Sequence, residues 1–238
     1  MKYLFSTLAL IILVSANAQN AFQVQNVYTG YAVNGNDVVI PTFNATTDLS
    51  SNQYLSKKWL TGSVTTTDKN TFGDQLVFMY DKVNNNLYFK NADSDKIYRA
   101  DMAKVSSFDL VKDNKEHIFI KGDFVNSDYS GKFFEVLVLN ENKYSLFKLT
   151  TTEFQHSQTS AASQAMTESI SPGNYVDKAT YFLYANHTLT PVELKKKNFA
   201  ESLGADADKA EAYIKNNKGN FNESYVIAML NDINSSTK

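Results

Sequence analysis

Three histidines are the side chains best suited to acid–base or metal chemistry in this sequence: His117, His156 and His187. They lie far apart, and none belongs to an H-E-x-x-H or H-x-x-x-H arrangement. Glu116 stands next to His117, but neighbouring residues on a strand point to opposite faces and cannot share a proton there. We therefore expect each histidine to be structural or exposed, and we assign no catalytic, metal or cofactor residue.

A second candidate is a metal site, because Asn91, Asp93 and Asp95 place side-chain oxygens on alternate residues. This spacing resembles the start of a calcium-binding loop. Such a loop needs a glycine at its sharp turn and a bidentate glutamate at its end. Lys96 and Met102 occupy those two positions. The segment is therefore better interpreted as an exposed hairpin turn.

The common nucleophile and phosphate-binding motifs are not found in this sequence. It contains no G-x-S-x-G, no G-x-x-x-x-G-K and no G-x-G-x-x-G, and it has no cysteine. A pair of carboxylates of the kind that hydrolyses glycosides stays open, because such a pair is defined by its separation in space.

The N-terminus carries the pattern of an export signal. Lys2 precedes an apolar run from Leu4 to Val14, and small residues follow at 16–18. The run is about eleven residues, much shorter than the twenty or so that span a bilayer. We expect cleavage between Ala18 and Gln19, and a mature protein that is periplasmic or secreted and not integral to the membrane. Without a cysteine to carry the lipid, it is not expected to be a lipoprotein.

Charge argues against nucleic acid as a partner. The chain has 23 basic and 25 acidic residues, a formal net charge of −2. Binding many phosphates requires a cluster of Lys and Arg, and the basic run at Lys195 to Lys197 is more simply the exposed start of a helix. Arg99 is the sole arginine, which leaves little capacity for bidentate phosphate contacts.

The sequence from residue 23 to 194 has the pattern of short alternating strands separated by turn residues. Asn34-Gly35 favours a first hairpin, and Lys132 to Leu139 is apolar on both faces, as expected of a central strand. The predicted strands are Tyr28–Val33, Asp37–Phe43, Gln75–Tyr80, Leu87–Lys90, Ile97–Ala100, Val105–Lys112, His117–Gly122, Lys132–Leu139, Tyr144–Thr152, Thr180–Ala185 and Thr188–Leu194. No helix-length segment separates them, so we predict a mainly β fold, an antiparallel sandwich or curled meander of about ten strands.

After Leu194, apolar residues no longer alternate as in strands but recur at the spacing of a helix. Two or three short helices are expected, with Gly204 ending the first, Asp206 capping the second and Asn222 capping the third. The domain prediction is a signal peptide at 1–18, an antiparallel β domain at 19–194 with a flexible loop at about 155–174, and a helical tail at 195–238 packed on the β domain. The apolar stripe of the last helix is expected to pack on the chain's own sheet, with docking to a partner as the alternative.

A set of core and turn segments can be compared with known families. The segments are Gly73-Asp74-Gln75-Leu76 through Tyr80, Leu87-Tyr88-Phe89, Val105 with Phe108, Gly131 through Leu137, Tyr144 through Lys148, and Tyr213-Ile214-Lys215 in the tail. They resemble a group of exported Bacteroidetes proteins of unassigned function. The similarity covers about Trp59 to Ile233. It implies a shared fold and an envelope location, and it carries over no catalytic residue.

Two functions of different class follow from this sequence. The first is an exported, soluble, non-catalytic β-domain protein that binds an envelope component, a protein partner or a glycan. The alternative is a secreted or periplasmic hydrolase whose carboxylates meet only in the fold.

Overall fold

The computed structural model describes residues 25–26, 52–156 and 173–236. The predicted signal peptide, its cleavage site at Ala18 and Gln19, and the predicted hairpin at Asn34-Gly35 lie outside the described residues. So does most of the predicted flexible loop at 155–174.

The described residues form antiparallel strands that are joined mostly by short turns. The strands are Gln25–Asn26 (β1), Gly62–Thr66 (β2), Thr71–Phe72 (β3), Leu76–Asp81 (β4), Asn86–Asn91 (β5), Tyr98–Arg99 (β6), Val105–Lys112 (β7), Lys115–Lys121 (β8), Phe133–Val138 (β9), Ser145–His156 (β10), Gly173–Ala185 (β11) and Thr188–Val192 (β12). Short 3-10 helices at Gly122–Phe124 and Ser127–Tyr129 connect β8 to β9.

These strands assemble into two sheets. One has the order β1-β6-β5-β4, and the larger has the order β12-β11-β10-β9-β8-β7-β2-β3. The predicted mainly β, antiparallel, sandwich-like fold with helices at the C-terminus is confirmed. The segment predicted as a central strand is β9, which lies between β8 and β10.

The smaller sheet covers one half of one face of the larger sheet. Phe78 and Leu87 from the small sheet pack into a single core with Phe108, Leu110 and Phe119 from the large one, and all five are buried. Phe108 and Leu110 therefore lie on one face of β7, as alternate residues of a strand do. This core fixes the half of the large sheet that contains β2, β7 and β8.

Three helices cover the other half of the same face. They are Lys196–Ser202 (α1), Ala207–Asn216 (α2) and Glu223–Ser235 (α3), with a 3-10 helix at Gly204–Asp206 between the first two. The predicted stop at Gly204 has a φ of 54°, and the predicted Asn222 cap accepts a bond from the Tyr225 N–H at 3.0 Å. The Asp206 side chain makes no cap bond, because its carboxylate accepts from Tyr144 and contacts Lys209 instead.

The helices pack on the sheet through apolar side chains and one amide. The buried Val226, Met229, Leu230 and Ile233 of α3 share a core with strand residues, among them Leu146. Near the end of α3, the Asn234 side chain donates to the Tyr144 carbonyl at 2.9 Å and accepts from its N–H at 3.2 Å. This amide pairs with the backbone of Tyr144 much as a neighbouring strand would.

A bulge in β9 changes the predicted orientation of one side chain. The alternation predicts that Val138 shares a face with Phe134 and Val136, but Val138 packs in the core under the helices and the other two pack on the opposite face. The reason is a register shift, since Leu146 pairs with Val138 while Phe147 pairs with Val136. The extra residue in β9 turns the end of the strand toward the helices.

The β10–β11 hairpin is longer than the sequence predicts. The expected strands end at Thr152 and begin at Thr180, whereas β10 runs to His156 and β11 starts at Gly173. The extension is held against the small sheet, because Asp177 accepts from Thr152 Oγ1 at 2.6 Å and pairs with Lys82 Nζ at 2.5 Å. This anchoring compensates for the marginal stability of an isolated two-stranded ribbon.

Candidate functional site

A row of ionisable side chains crosses the large sheet between its two covered halves. In the register, Glu135 of β9 pairs with Lys148 of β10, and Lys148 pairs with Tyr181 of β11. Directly opposed residues in an antiparallel sheet place their side chains next to each other on one face. His117 is two residues before Phe119, the partner of Glu135 on β8, and so it reaches the same face.

These side chains bond to one another and to the first residue of α3. His117 Nδ1 lies 2.6 Å from Oε1 of Glu135, and Lys148 Nζ lies 2.5 Å from Oε2 of the same carboxylate. The same lysine donates to Oε2 of Glu223 at 3.1 Å, and the Tyr181 hydroxyl donates to that oxygen at 3.1 Å. We call His117, Glu135, Lys148, Tyr181 and Glu223 the seam cluster.

The seam cluster is largely shielded from water, and both of its carboxylates lie against the Lys148 ammonium. The Glu135 side chain is 8% exposed. Burial alone raises the pKa of its carboxyl, but the bonds from His117 and Lys148 outweigh burial and lower that pKa from 4.5 to about 2. Burial lowers the pKa of Lys148, and the neighbouring Glu135 and Glu223 carboxylates reverse this, so that the net shift is upward. Both groups are therefore charged at neutral pH.

The chemistry of this arrangement is that of an internal ion-pair network. A general acid in glycoside hydrolysis needs a carboxyl group whose pKa is raised so that it keeps its proton. The basic neighbours of Glu135 shift its pKa in the opposite direction. Burial and the Glu223 carboxylate also raise the pKa of Tyr181, which keeps its hydroxyl protonated as a donor. The cluster thus binds the start of α3 to the middle of the sheet.

Other buried carboxylates are also engaged by their own surroundings. Asp81 is buried, and its oxygens accept from the N–H groups of Val83 and Asn84 at 3.0 Å and from Gln53 Nε2 at 3.0 Å. Asp206 lies 2.7 Å from Lys209 Nζ, and Tyr144 donates to it at 3.1 Å. Throughout the described ranges, every buried side-chain nitrogen and oxygen has a hydrogen-bond partner. These carboxylates hold turns and helix ends in place.

In the structure, the histidines considered as candidates in the sequence occupy separate positions. His117 contributes to the seam cluster, with Glu135 as its partner, and the adjacent Glu116 is exposed in register with Val111. His187 is exposed in the tight turn between β11 and β12, with a φ of 60°. His156 is the last residue of β10.

The acidic spacing that resembles a calcium loop follows the end of β5. Asp93 and Asp95 are exposed in the turn that leads to β6.

Sequence reasoning did not find Glu135, Lys148 or Glu223 as a group. The one available signal was a carboxylate in the middle of the most apolar strand, since burying a charge requires a partner. Lys148 and Glu223 carry no comparable signal because both lie in segments that already contain polar residues.

Compared with protein-family models, curated proteins and solved structures, the chain matches none. Within the described ranges, none of the helices combines the length and the apolarity that crossing a bilayer requires.

Proposed function

We propose that this chain is an exported, non-catalytic β-domain protein that binds a component of the cell envelope. The observation that supports this most strongly is the state of the seam cluster. Its carboxylates converge, but both are paired to the ammonium of Lys148, and the pKa of Glu135 is lowered to about 2. The residues that come closest to an active site therefore stabilise the fold.

Export is the second part of the proposal. It rests on the apolar run from Leu4 to Val14 and on the small residues that precede Gln19. The mature protein is periplasmic or secreted and is not a lipoprotein, because the chain has no cysteine to modify. The resemblance to exported Bacteroidetes proteins supports the same location.

Exposed apolar side chains on the long hairpin support binding. Phe154 on β10 is 47% exposed and Val176 on β11 is 42% exposed. Phe154 packs edge-on against Tyr175 with ring centroids 5.2 Å apart, which holds both rings in position at the ribbon. Aromatic side chains in fixed positions are common anchors in protein interfaces.

A hydrolase is the second candidate, and one observation favours it. Glu135 and Glu223 are 88 positions apart in the numbering, and yet oxygens of both lie within 3.1 Å of Lys148 Nζ. For this pair to cleave a glycoside, one carboxyl would have to keep its proton beside a lysine and a histidine. Those neighbours favour the ionised form, so binding is the better supported function.

The proposal is tested by sedimentation of the exported chain with envelope fragments from its host. We expect saturable co-sedimentation by the native chain and none after thermal unfolding. A Glu223→Gln variant keeps the shape of the side chain, so it should bind like the native chain as long as it is folded. A folded native chain that shows no saturable binding would overturn the proposed function.

A further inference from the structure

A hollow of about 500 Å³ lies between α2 and the end of α3, away from the seam cluster. Lys209, Ala212, Tyr213 and Asn216 line it from one stripe of α2, and Asp232 and Ile233 line it from α3. The four α2 residues are spaced at one helical turn, which places them on the same face. The volume is within the range of about 300–1,000 Å³ that small-molecule sites occupy.

The hollow is bordered by a small side chain, Ala212, and by an aromatic side chain, Tyr213, whose ring packs against another ring. Ala212 is exposed and has no atoms beyond Cβ, so the space above it is open. Tyr213 packs edge-on against Tyr225 with ring centroids 5.7 Å apart. The Tyr225 hydroxyl in turn donates to the Asn217 carbonyl at 2.8 Å, which holds that ring in place.

Two planar polar groups of the hollow are not used by the fold. Asn216 and Asp232 are exposed, and neither side chain has a hydrogen-bond or ion-pair partner among the described residues. Lys209 differs from them, because its ammonium lies 2.7 Å from Asp206. The lining residues Asn217 and Ser236 donate to backbone carbonyls. The hollow therefore leaves one amide and one carboxylate unused by the fold, while its one cation is already compensated.

This combination favours neutral polyhydroxylated ligands over phosphate-bearing ones. Phosphate-bearing ligands need uncompensated cations or converging N–H donors. A carboxylate accepts from hydroxyl groups, an amide both donates and accepts, and a tyrosine ring packs against the apolar C–H face of a pyranose. We propose that the α2–α3 hollow binds a neutral oligosaccharide. The inference rests on the proposed function, and it adds the class of ligand and the site that binds it.

The test titrates the exported chain with chitotriose and with cellotriose, which are neutral trisaccharides with and without acetamido groups. Binding is measured by isothermal titration calorimetry. We expect saturable binding of at least one of them. Ala212→Phe should weaken it at least tenfold by filling the hollow, and the side chain is exposed, so the core is not disturbed. Asp232→Ala should weaken it about tenfold by removing an acceptor.

One variant serves as the matched control. Glu211→Ala changes an exposed residue next to Ala212 on α2 that does not line the hollow. It should bind like the native chain, and all variants should keep the native thermal midpoint. The proposal is overturned if neither trisaccharide binds, or if folded Ala212→Phe binds as tightly as the native chain. Envelope co-sedimentation that persists in either case leaves the proposed function intact and places its site elsewhere.

Discussion

The carboxylate of Glu223, the first residue of α3, lies 3.1 Å from the Nζ atom of Lys148 in β10. The same ammonium lies 2.5 Å from Oε2 of Glu135 in β9. One lysine therefore joins two adjacent strands of the large sheet to the last helix. Because Asn222 also caps this helix, the start of α3 is fixed by two adjacent side chains.

Replacing Lys148 with methionine should destabilise the protein strongly. The variant leaves the Glu135 and Glu223 carboxylates facing each other without the ammonium between them. Removing one partner of a largely buried ion pair leaves an uncompensated charge, and we expect a loss of about 2–4 kcal/mol in the free energy of unfolding. The measurement is a urea unfolding curve.

An exposed lysine provides the control for this change. Lys197 is 86% exposed and lies 3.9 Å from Glu201, so Lys197→Met should change stability by no more than about 0.5 kcal/mol. Equal unfolding midpoints for the two variants would contradict the role of Lys148.

The stability of the protein should fall in acid because of Glu135. Its pKa in the folded protein, about 2, is below the ordinary value of 4.5 that applies to the unfolded chain. The folded state thus binds fewer protons, and the contribution of Glu135 is complete above about pH 4.5. That contribution, at most about 3 kcal/mol, is lost as the pH falls from 4.5 toward 2.

This pH dependence is measured as the free energy of unfolding between pH 2 and 5. Glu135→Gln cannot ionise, so its stability curve should be flatter than that of the native chain over this interval. Parallel curves for the two proteins would show that Glu135 does not supply the acid sensitivity.

Replacing Asn234 with alanine should lower the free energy of unfolding by about 1–3 kcal/mol, because its side chain holds α3 on the sheet. Asn234→Ala leaves both the N–H and the carbonyl of Tyr144 without these partners, and unpaired backbone groups in a shielded position are costly. Asn220→Ala, at an exposed site before the same helix, should be nearly neutral. Thermal unfolding of both variants distinguishes them, and a neutral Asn234→Ala would refute this role of the amide.

Strands with clear alternation could be predicted from the sequence, and polar strands could not. β7 has the predicted bounds, Val105–Lys112, because buried Phe108 and Leu110 alternate with less buried residues. β2 and β3 were missed, since Gly62–Thr66 is rich in hydroxyl residues and Thr71–Phe72 is only two residues long. The ends of the β10–β11 hairpin were missed because the segment is polar and its contact with Lys82, through Asp177, joins residues distant in sequence.

The candidate site could not be predicted because it depends on strand register. His117 and Glu135 are 18 residues apart, and the contact between them requires the connection through two 3-10 helices to return β9 alongside β8. Glu223 reaches Lys148 only when α3 packs on the sheet. No local pattern contains that information, whereas the Asn222 cap is local and was predicted correctly.

The exported protein should begin at Gln19. Signal peptidases require small residues at the positions just before the cleaved bond, so Ala16→Arg with Ala18→Arg should prevent cleavage. N-terminal sequencing of the protein from periplasm and medium measures this. A mature protein that retains residues 4–14 would contradict the export proposal.

The measurement that tests the proposed function most directly follows binding and product release in one sample. The exported chain is incubated with envelope fragments from its host, bound protein is quantified by sedimentation, and released fragments are analysed by mass spectrometry. We expect saturable binding with no release of fragments by the native chain or by Glu223→Gln. Fragment release by the native chain that is lost in folded Glu223→Gln would show that the carboxylates of the seam cluster are catalytic, and would contradict the proposed function.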